Sequence, residues 1–150
     1  MQHIQHIFLA DDDADDRVLF YEAIRLCVPT AHCSIANNGT ELMEHLRESL
    51  KSDHRMIFLD LNMPLKNGHE CLTEIRNSPD FRNIPVFIYS TSTNPADIDE
   101  SLARGADFYI HKPDSFNYLL DIVKQIIMLD RWQHQKPTPE EFVLRAMVGV

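Results

Sequence analysis

Short apolar segments that alternate with longer amphipathic stretches constrain the fold of this chain more than any other feature. The strands that this pattern predicts occupy residues 7–10, 33–36, 56–59, 86–89 and 108–110. Apolar runs without polar alternation are typical of strands buried on both faces of a parallel sheet. The intervening stretches have the apolar spacing of helices. The alternation predicts a doubly wound α/β fold, with a five-stranded parallel sheet in the order 2-1-3-4-5 and helices on both faces.

Charge and cysteine content narrow the class of protein. The 150 residues suit one compact domain, and their formal net charge of −9 argues against binding of nucleic acid, which requires clusters of Lys and Arg. The three cysteines form no C-x-x-C pair, so we expect reduced, buried thiols in a cytoplasmic protein. No apolar run approaches the ~20 residues of a membrane span, so we expect no membrane partner.

Polar side chains follow the predicted strands at the edge where such sheets bind ligands. Asp11 and Asp12 follow the first strand, Asp60 the third, Ser90 the fourth and Lys112 the fifth. Carboxylates gathered together repel and require a cation, and oxygen ligands favour a hard ion such as Mg²⁺. A carboxylate can also act as a nucleophile and form an acyl phosphate, with an ammonium and a hydroxyl holding the phosphoryl oxygens.

The acids beside Asp11 and Asp12 have simpler interpretations. We expect Asp13 to be peripheral, and Asp15 and Asp16 to be solvated or to stabilise the start of a helix through its dipole.

Four motifs resemble those of the bacterial response-regulator receiver domain, a flavodoxin-like fold. In the order of the chain they are residues 7–13, residues 58–64 with Asn67-Gly68, Tyr89-Ser90, and Lys112-Pro113. Each motif alone is weak, but four in the right order, each at the end of a predicted strand, are specific. The resemblance covers about residues 4–130, which we expect to form the domain (1–130 with its amino terminus).

The resemblance implies a role for each matching residue. Asp60 would accept a phosphoryl group from a sensor histidine kinase or a histidine phosphotransfer protein. Asp11, Asp12, Asp60 and the backbone carbonyl of Asn62 would hold Mg²⁺. Ser90 and Lys112 would contact the phosphoryl group, and Tyr109, together with Ser90, would form the switch that moves on phosphorylation.

The implied activity is signalling to a downstream protein target. The domain would catalyse only its own phosphorylation and dephosphorylation.

Three other functions fit the sequence less well. A phosphatase of the haloacid dehalogenase type needs an acid two residues after its nucleophile, but Asn62 occupies that position and cannot act as a general acid. A flavin mononucleotide binder needs a phosphate loop after the first strand, where the acids 11–13 would repel an anion. A degenerate receiver that is never phosphorylated would not be expected to keep the whole acceptor set.

Residues 131–150 extend beyond the resemblance and are too few for a DNA-binding output domain. We expect a short helix there, with Thr138 as its N-cap and an apolar stripe of Phe142, Val143, Ala146 and Met147. It would pack back on the domain or, with Trp132 and Phe142 as anchors, support a kinase contact or a homodimer.

The chain departs from the family pattern after Ser90, where Thr91 replaces the usual Ala or Gly. We predict that this β-branched side chain crowds the phosphoryl group and hinders attacking water, so that Thr91→Ala shortens the lifetime of the phosphorylated form. Timed loss of label from the two phosphorylated proteins checks this, and equal half-lives would rule it out. His111, the second departure, is expected to be a surface residue.

Overall fold

The computed structural model describes residues 4–129 and 137–144. All strands of its sheet run parallel, in the order β2-β1-β3-β4-β5-β6. The strands are β1 (His6–Ala10), β2 (His32–Ala36), β3 (Arg55–Leu59), β4 (Val86–Ser90), β5 (Phe108–His111) and β6 (Val143–Leu144). The predicted doubly wound sheet and its order 2-1-3-4-5 are confirmed, and the short β6 adds a sixth strand beside β5.

Helices cover both faces of this sheet. They are α1 (Ala14–Cys27), α2 (Gly39–Glu48), α3 (Gly68–Asn77), α4 (Pro95–Ala103) and α5 (Phe116–Leu129). Residues of β1, β3 and β4 are all buried. Successive side chains of a strand point to opposite faces, so Phe8 and Ile57 pack with α2 and α3, whereas Leu9 and Phe58 pack with α1 and α5.

The described residues also bear on two expectations from composition. Among them, no helix is both long enough and apolar enough to cross a membrane. The cysteines are free thiols, with Cys71 buried and Cys27 and Cys33 half-buried, so the expectation of burial holds fully for Cys71 only.

The start of α3 approaches the carboxyl end of β3 so closely that its first residue must be glycine. A Cβ atom on Gly68 would lie 2.2 Å from the backbone oxygen of Asp60 and 2.8 Å from Leu61 Cα. The Gly68 N–H donates to the Leu61 carbonyl at 2.9 Å, and Asn67 and Glu70 cap the helix reciprocally. Together these contacts fix the loop after β3, which carries the predicted site residues Asp60 and Asn62.

The predicted helix in the carboxyl-terminal segment is wrong for the part that the structure describes. The Thr138 N–H donates to Glu141 Oε1 at 2.9 Å and the Glu141 N–H donates to Thr138 Oγ1 at 3.4 Å, the reciprocal pattern of a helix start. The chain nevertheless continues into β6, because the exposed edge of β5 offers backbone partners: the Tyr109 N–H donates to the Phe142 carbonyl at 2.9 Å. Trp132, Ala146 and Met147 lie outside the described residues, and the division of the chain at residue 130 stays a prediction.

Phe142 anchors this segment, since it is 1% exposed and its ring centroid lies 6.3 Å from that of Tyr109. We predict that Phe142→Ala lowers the free energy of unfolding by about 3 kcal/mol, because it leaves a cavity in the core. Urea denaturation measures the change. Phe142→Leu, which keeps most of the buried volume, should cost less than half as much. Equal stability of all three proteins would show that the segment does not share the cooperative core.

Candidate functional site

The register of the sheet brings the predicted site residues together at the carboxyl ends of the strands, which form one edge of the sheet. Ala10 pairs with Leu59, so the residues that follow them, Asp11 and Asp60, leave neighbouring strands at the same level. The Asp60 N–H donates to the Ala10 carbonyl at 2.9 Å. On the other side, the Lys112 N–H donates to the Ser90 carbonyl, also at 2.9 Å, which ties the end of β5 to that of β4.

Three carboxylates form a compact cluster at this edge. Asp11, Asp12 and Asp60 each offer an oxygen within 4.8 Å of the others. Asp11 is 0% exposed and Asp60 is 5% exposed, whereas Asp12 faces solvent. The buried Oδ2 of Asp11 accepts no hydrogen bond from the described residues. An all-oxygen set with an open side and a buried oxygen without a hydrogen bond fits a hard divalent cation that keeps part of its water shell.

Lys112 supplies the positive charge of the site. Its Nζ lies 2.9 Å from Asp11 Oδ2, in an ion pair without hydrogen-bond geometry, and 3.6 Å from Asp60 Oδ2. The same nitrogen lies 5.4 Å from the centre of the Tyr89 ring, a cation–π contact. The side chain of Lys112 is only 9% exposed, so these charges interact with little screening by solvent.

Asp16 also belongs to the site, and the sequence analysis missed it. Its Oδ2 accepts a hydrogen bond from Lys112 Nζ at 2.8 Å, the shortest contact of that ammonium group. Asp15 and Asp16 both lie in the first turn of α1, as expected of acids that stabilise a helix start, and Asp15 is exposed. The expectation for Asp16 was incomplete, because it did not include the contact with Lys112. Asp13 is the N-cap of α1 and accepts from the Asp16 N–H at 2.9 Å. In the sequence, the only indication of this role is that Asp16 lies within one helical turn of Asp12 and Asp13. The contact itself depends on the fold, which brings Lys112 to Asp16.

Burial and charge shift the pKa values of the site in opposite directions. Burial, together with repulsion from Asp11, raises the pKa of Asp60 to about 7. The charge of Lys112 lowers this pKa but only partly offsets those two effects. Burial also raises the pKa of Asp11. Burial alone would lower the pKa of Lys112, but its close contacts with the carboxylates of Asp11 and Asp16 raise it above its usual value. The site thus holds an excess of buried negative charge around one cation.

Ser90 and Tyr109 lie in contact on the β4–β5 side of the site. Ser90 is fully buried, and its Oγ accepts from the Ser92 N–H at 3.1 Å. The Tyr109 hydroxyl donates to the Ser92 carbonyl at 2.8 Å, and the ring is buried beneath the β4–α4 loop. Burial raises the pKa of the Tyr109 phenol, an effect that its contacts with Ser90 and Ser92 partly offset.

The remaining predicted positions lie at the rim. Asn62 is exposed two residues after Asp60, and the role of its backbone carbonyl stays a prediction. Thr91 is exposed directly after Ser90. His111 is also exposed, as expected of a surface residue, and its ring Nε2 donates to the Thr91 carbonyl at 3.1 Å.

The fold and this edge of the sheet define a class of signalling domain. The family model of the response regulator receiver domain matches residues 7–124, which is most of the chain. The chain belongs to the response regulator receiver family, a family of signalling domains that interact with histidine kinases.

Individual relatives agree with this assignment. The response regulator Rcp1 of Synechocystis is 30% identical over 80% of this chain and 84% of its own length. The crystal structure of the phosphorylated cyanobacterial phytochrome response regulator RcpA has a TM-score of 0.76 at 33% identity, covering 91% of this chain and all of that chain. A Mn²⁺-bound structure of Rcp1 has a TM-score of 0.72 at 28% identity, covering 89% of this chain and 99% of that one.

The raised pKa of Asp60 predicts that its buried charge destabilises the fold. Above about pH 7 the buried carboxylate of Asp60 is ionised in the folded state, which lowers the free energy of unfolding. As the pH falls below about 7, the folded state binds a proton before the unfolded state does, and this destabilisation is lost. Asp60→Asn should therefore raise the free energy of unfolding by about 1–3 kcal/mol at pH 8 without divalent cations, and the gain should shrink towards pH 4.

Urea denaturation across this pH range measures the gain. Asp12→Asn, which removes an exposed carboxylate from the same cluster, is the control and should gain less. A gain for Asp60→Asn that does not change with pH would contradict the raised pKa.

Proposed function

We propose that this chain is a Mg²⁺-dependent phosphoacceptor whose Asp60 receives a phosphoryl group from a histidine kinase or a histidine phosphotransfer protein. The observation that supports it most directly is the burial of the Asp60 carboxylate beside two further carboxylates and the Lys112 ammonium. A buried anion next to a fixed cation is suited to a reaction that transfers a group carrying negative charge, because such transfer depends mainly on positioning and electrostatics.

Each residue has a chemical task in this proposal. An oxygen of Asp60 attacks the phosphorus and forms a new P–O bond, while the bond between phosphorus and the donor's histidine nitrogen breaks. Lys112 and the Ser90 hydroxyl hold phosphoryl oxygens during the transfer. Mg²⁺, held by Asp11, Asp12, Asp60 and the backbone carbonyl of Asn62, would neutralise phosphoryl charge when bound.

The output surface that we propose lies on the β5 side of the sheet. A groove of about 310 Å³ opens there, lined by residues of the β4–α4 loop, α4, β5, α5 and β6, among them Tyr109, Lys112 and Val143. Lys112, which lies beside Asp60, and Tyr109, the proposed switch residue, both line this groove. A downstream protein that docks in this groove would therefore contact the parts that respond to phosphorylation at Asp60.

Other parts of the proposal come from the sequence alone. A cytoplasmic location, the absence of nucleic-acid binding and the formation of a homodimer stay predictions. The phosphatase alternative lacks its second acid, because Asn62 follows Asp60 at that position. A receiver that cannot be phosphorylated is disfavoured by the buried Asp60 and Lys112.

We predict that the native chain gains one phosphoryl group when incubated with acetyl phosphate and Mg²⁺. The gain should disappear in Asp60→Asn and fall at least tenfold when Mg²⁺ is chelated, because the buried carboxylates would then repel the phosphodonor. Intact-mass spectrometry measures the phosphorylated fraction.

Asp53→Asn, which removes a carboxylate at the opposite end of the strands, two residues before β3, is the control and should be phosphorylated like the native chain. Failure of the native chain to gain the group would support a degenerate receiver. Continued hydrolysis of several phosphate esters without a lasting mass change would instead support a phosphatase.

A further inference from the structure

We propose that Asp16 is a positioning residue that competes with the phosphoryl group for Lys112 and thereby slows phosphorylation of Asp60. The inference rests on the proposed function, since it concerns the rate of that same transfer. Its basis is the geometry of the ammonium group, which lies 2.8 Å from Asp16 Oδ2 but 3.6 Å from Asp60 Oδ2.

Lys112 is therefore drawn away from the place where it is needed. Its two nearest carboxylates are Asp16 and Asp11, at 2.8 and 2.9 Å. To hold a phosphoryl oxygen on Asp60, the ammonium group must leave or weaken at least one of these contacts. An ion pair that is strong in the resting protein and lost in the transition state raises the barrier, because only interactions that strengthen in the transition state accelerate a reaction.

Asp16 is well placed to remain the competitor throughout the reaction. Its oxygens do not belong to the Asp11, Asp12 and Asp60 cluster that fits a cation. When a cation binds Asp11, the ion pair between Asp16 and Lys112 therefore persists. At 31% exposure, the Asp16 side chain is also shielded in part from the water and salt that would weaken the contact.

The local structure holds the Asp16 backbone in this position. The Asp16 N–H donates to Asp13 Oδ1, and the Asp13 N–H donates to Asp11 Oδ1 at 3.0 Å. The neighbouring Arg17 donates from its guanidinium to the Asp11 carbonyl at 2.9 Å. The first turn of α1 is thus fastened to the end of β1, and the contact with Lys112 joins residues that are 96 positions apart in the chain.

The test compares the rate constants for phosphorylation by acetyl phosphate at saturating Mg²⁺. In this reaction the new P–O bond forms to Asp60 and acetate leaves, and Asp16 forms no bond at any stage. Asp16→Asn removes the charge and keeps the size of the side chain. We expect this variant to react about three to ten times faster than the native chain, because the ion pair that it loses is partly exposed and therefore of modest strength.

Two variants separate competition for Lys112 from other effects. Asp15→Asn removes the same charge one residue earlier, from an exposed side chain outside the ion pairs of Lys112, and should change the rate less than twofold. Asp16→Glu keeps the carboxylate within reach of Lys112 and should stay within about twofold of the native rate. A merely structural role for Asp16 would not produce acceleration, because damage to the site slows the reaction.

The outcomes are distinguishable. An unchanged or slower rate for Asp16→Asn, or equal acceleration by Asp15→Asn, would overturn the competition while leaving the phosphoacceptor function intact. Absence of phosphorylation in the native chain would instead overturn the proposed function itself. Acceleration confined to Asp16→Asn, with the apparent affinity for Mg²⁺ unchanged, is the result that we expect.

Discussion

The ion pairs of Lys112 are the interaction on which the rest of the site depends. Asp11 and Asp60 are almost completely buried, and two buried carboxylates without a cation would be costly. Lys112 offsets part of that cost, and the pKa of Asp60 near 7 shows that the offset is incomplete. The resting site therefore has an uncompensated negative charge, and this imbalance is what favours a second cation at the same place.

The parallel sheet makes this arrangement possible because it aligns the ends of distant strands. The pairings Ala10 with Leu59 and Ser90 with His111 place the following residues at one edge without any further adjustment. The close approach of Gly68 to the Asp60 backbone then fixes the loop after β3. Backbone register and packing consequently set the positions from which the charged side chains extend into the site.

The sequence predicts those parts of the molecule that depend on local pattern and strand order. Buried strands read as continuous apolar runs, and their order places Asp11, Asp60 and Lys112 together. The sequence does not predict the role of Asp16, because acids are common in the first turn of a helix and the partner of Asp16, Lys112, lies far along the chain. Nor does it predict β6: Thr138 and Glu141 do form the capping contacts of a helix start, but pairing with the free edge of β5 outweighs that local preference.

Strand β6 gives Tyr109, the proposed switch residue, a second set of contacts. Tyr109 contacts Ser92 in the loop after Ser90, and its ring and its backbone also contact Phe142. If Tyr109 rotates on phosphorylation, as the proposed function requires, the packing against Phe142 has to change with it. Coupling of this kind is reciprocal. A partner that binds β6 and favours one orientation of Tyr109 would therefore shift the phosphorylation equilibrium of Asp60 by the same factor by which phosphorylation shifts the affinity for that partner.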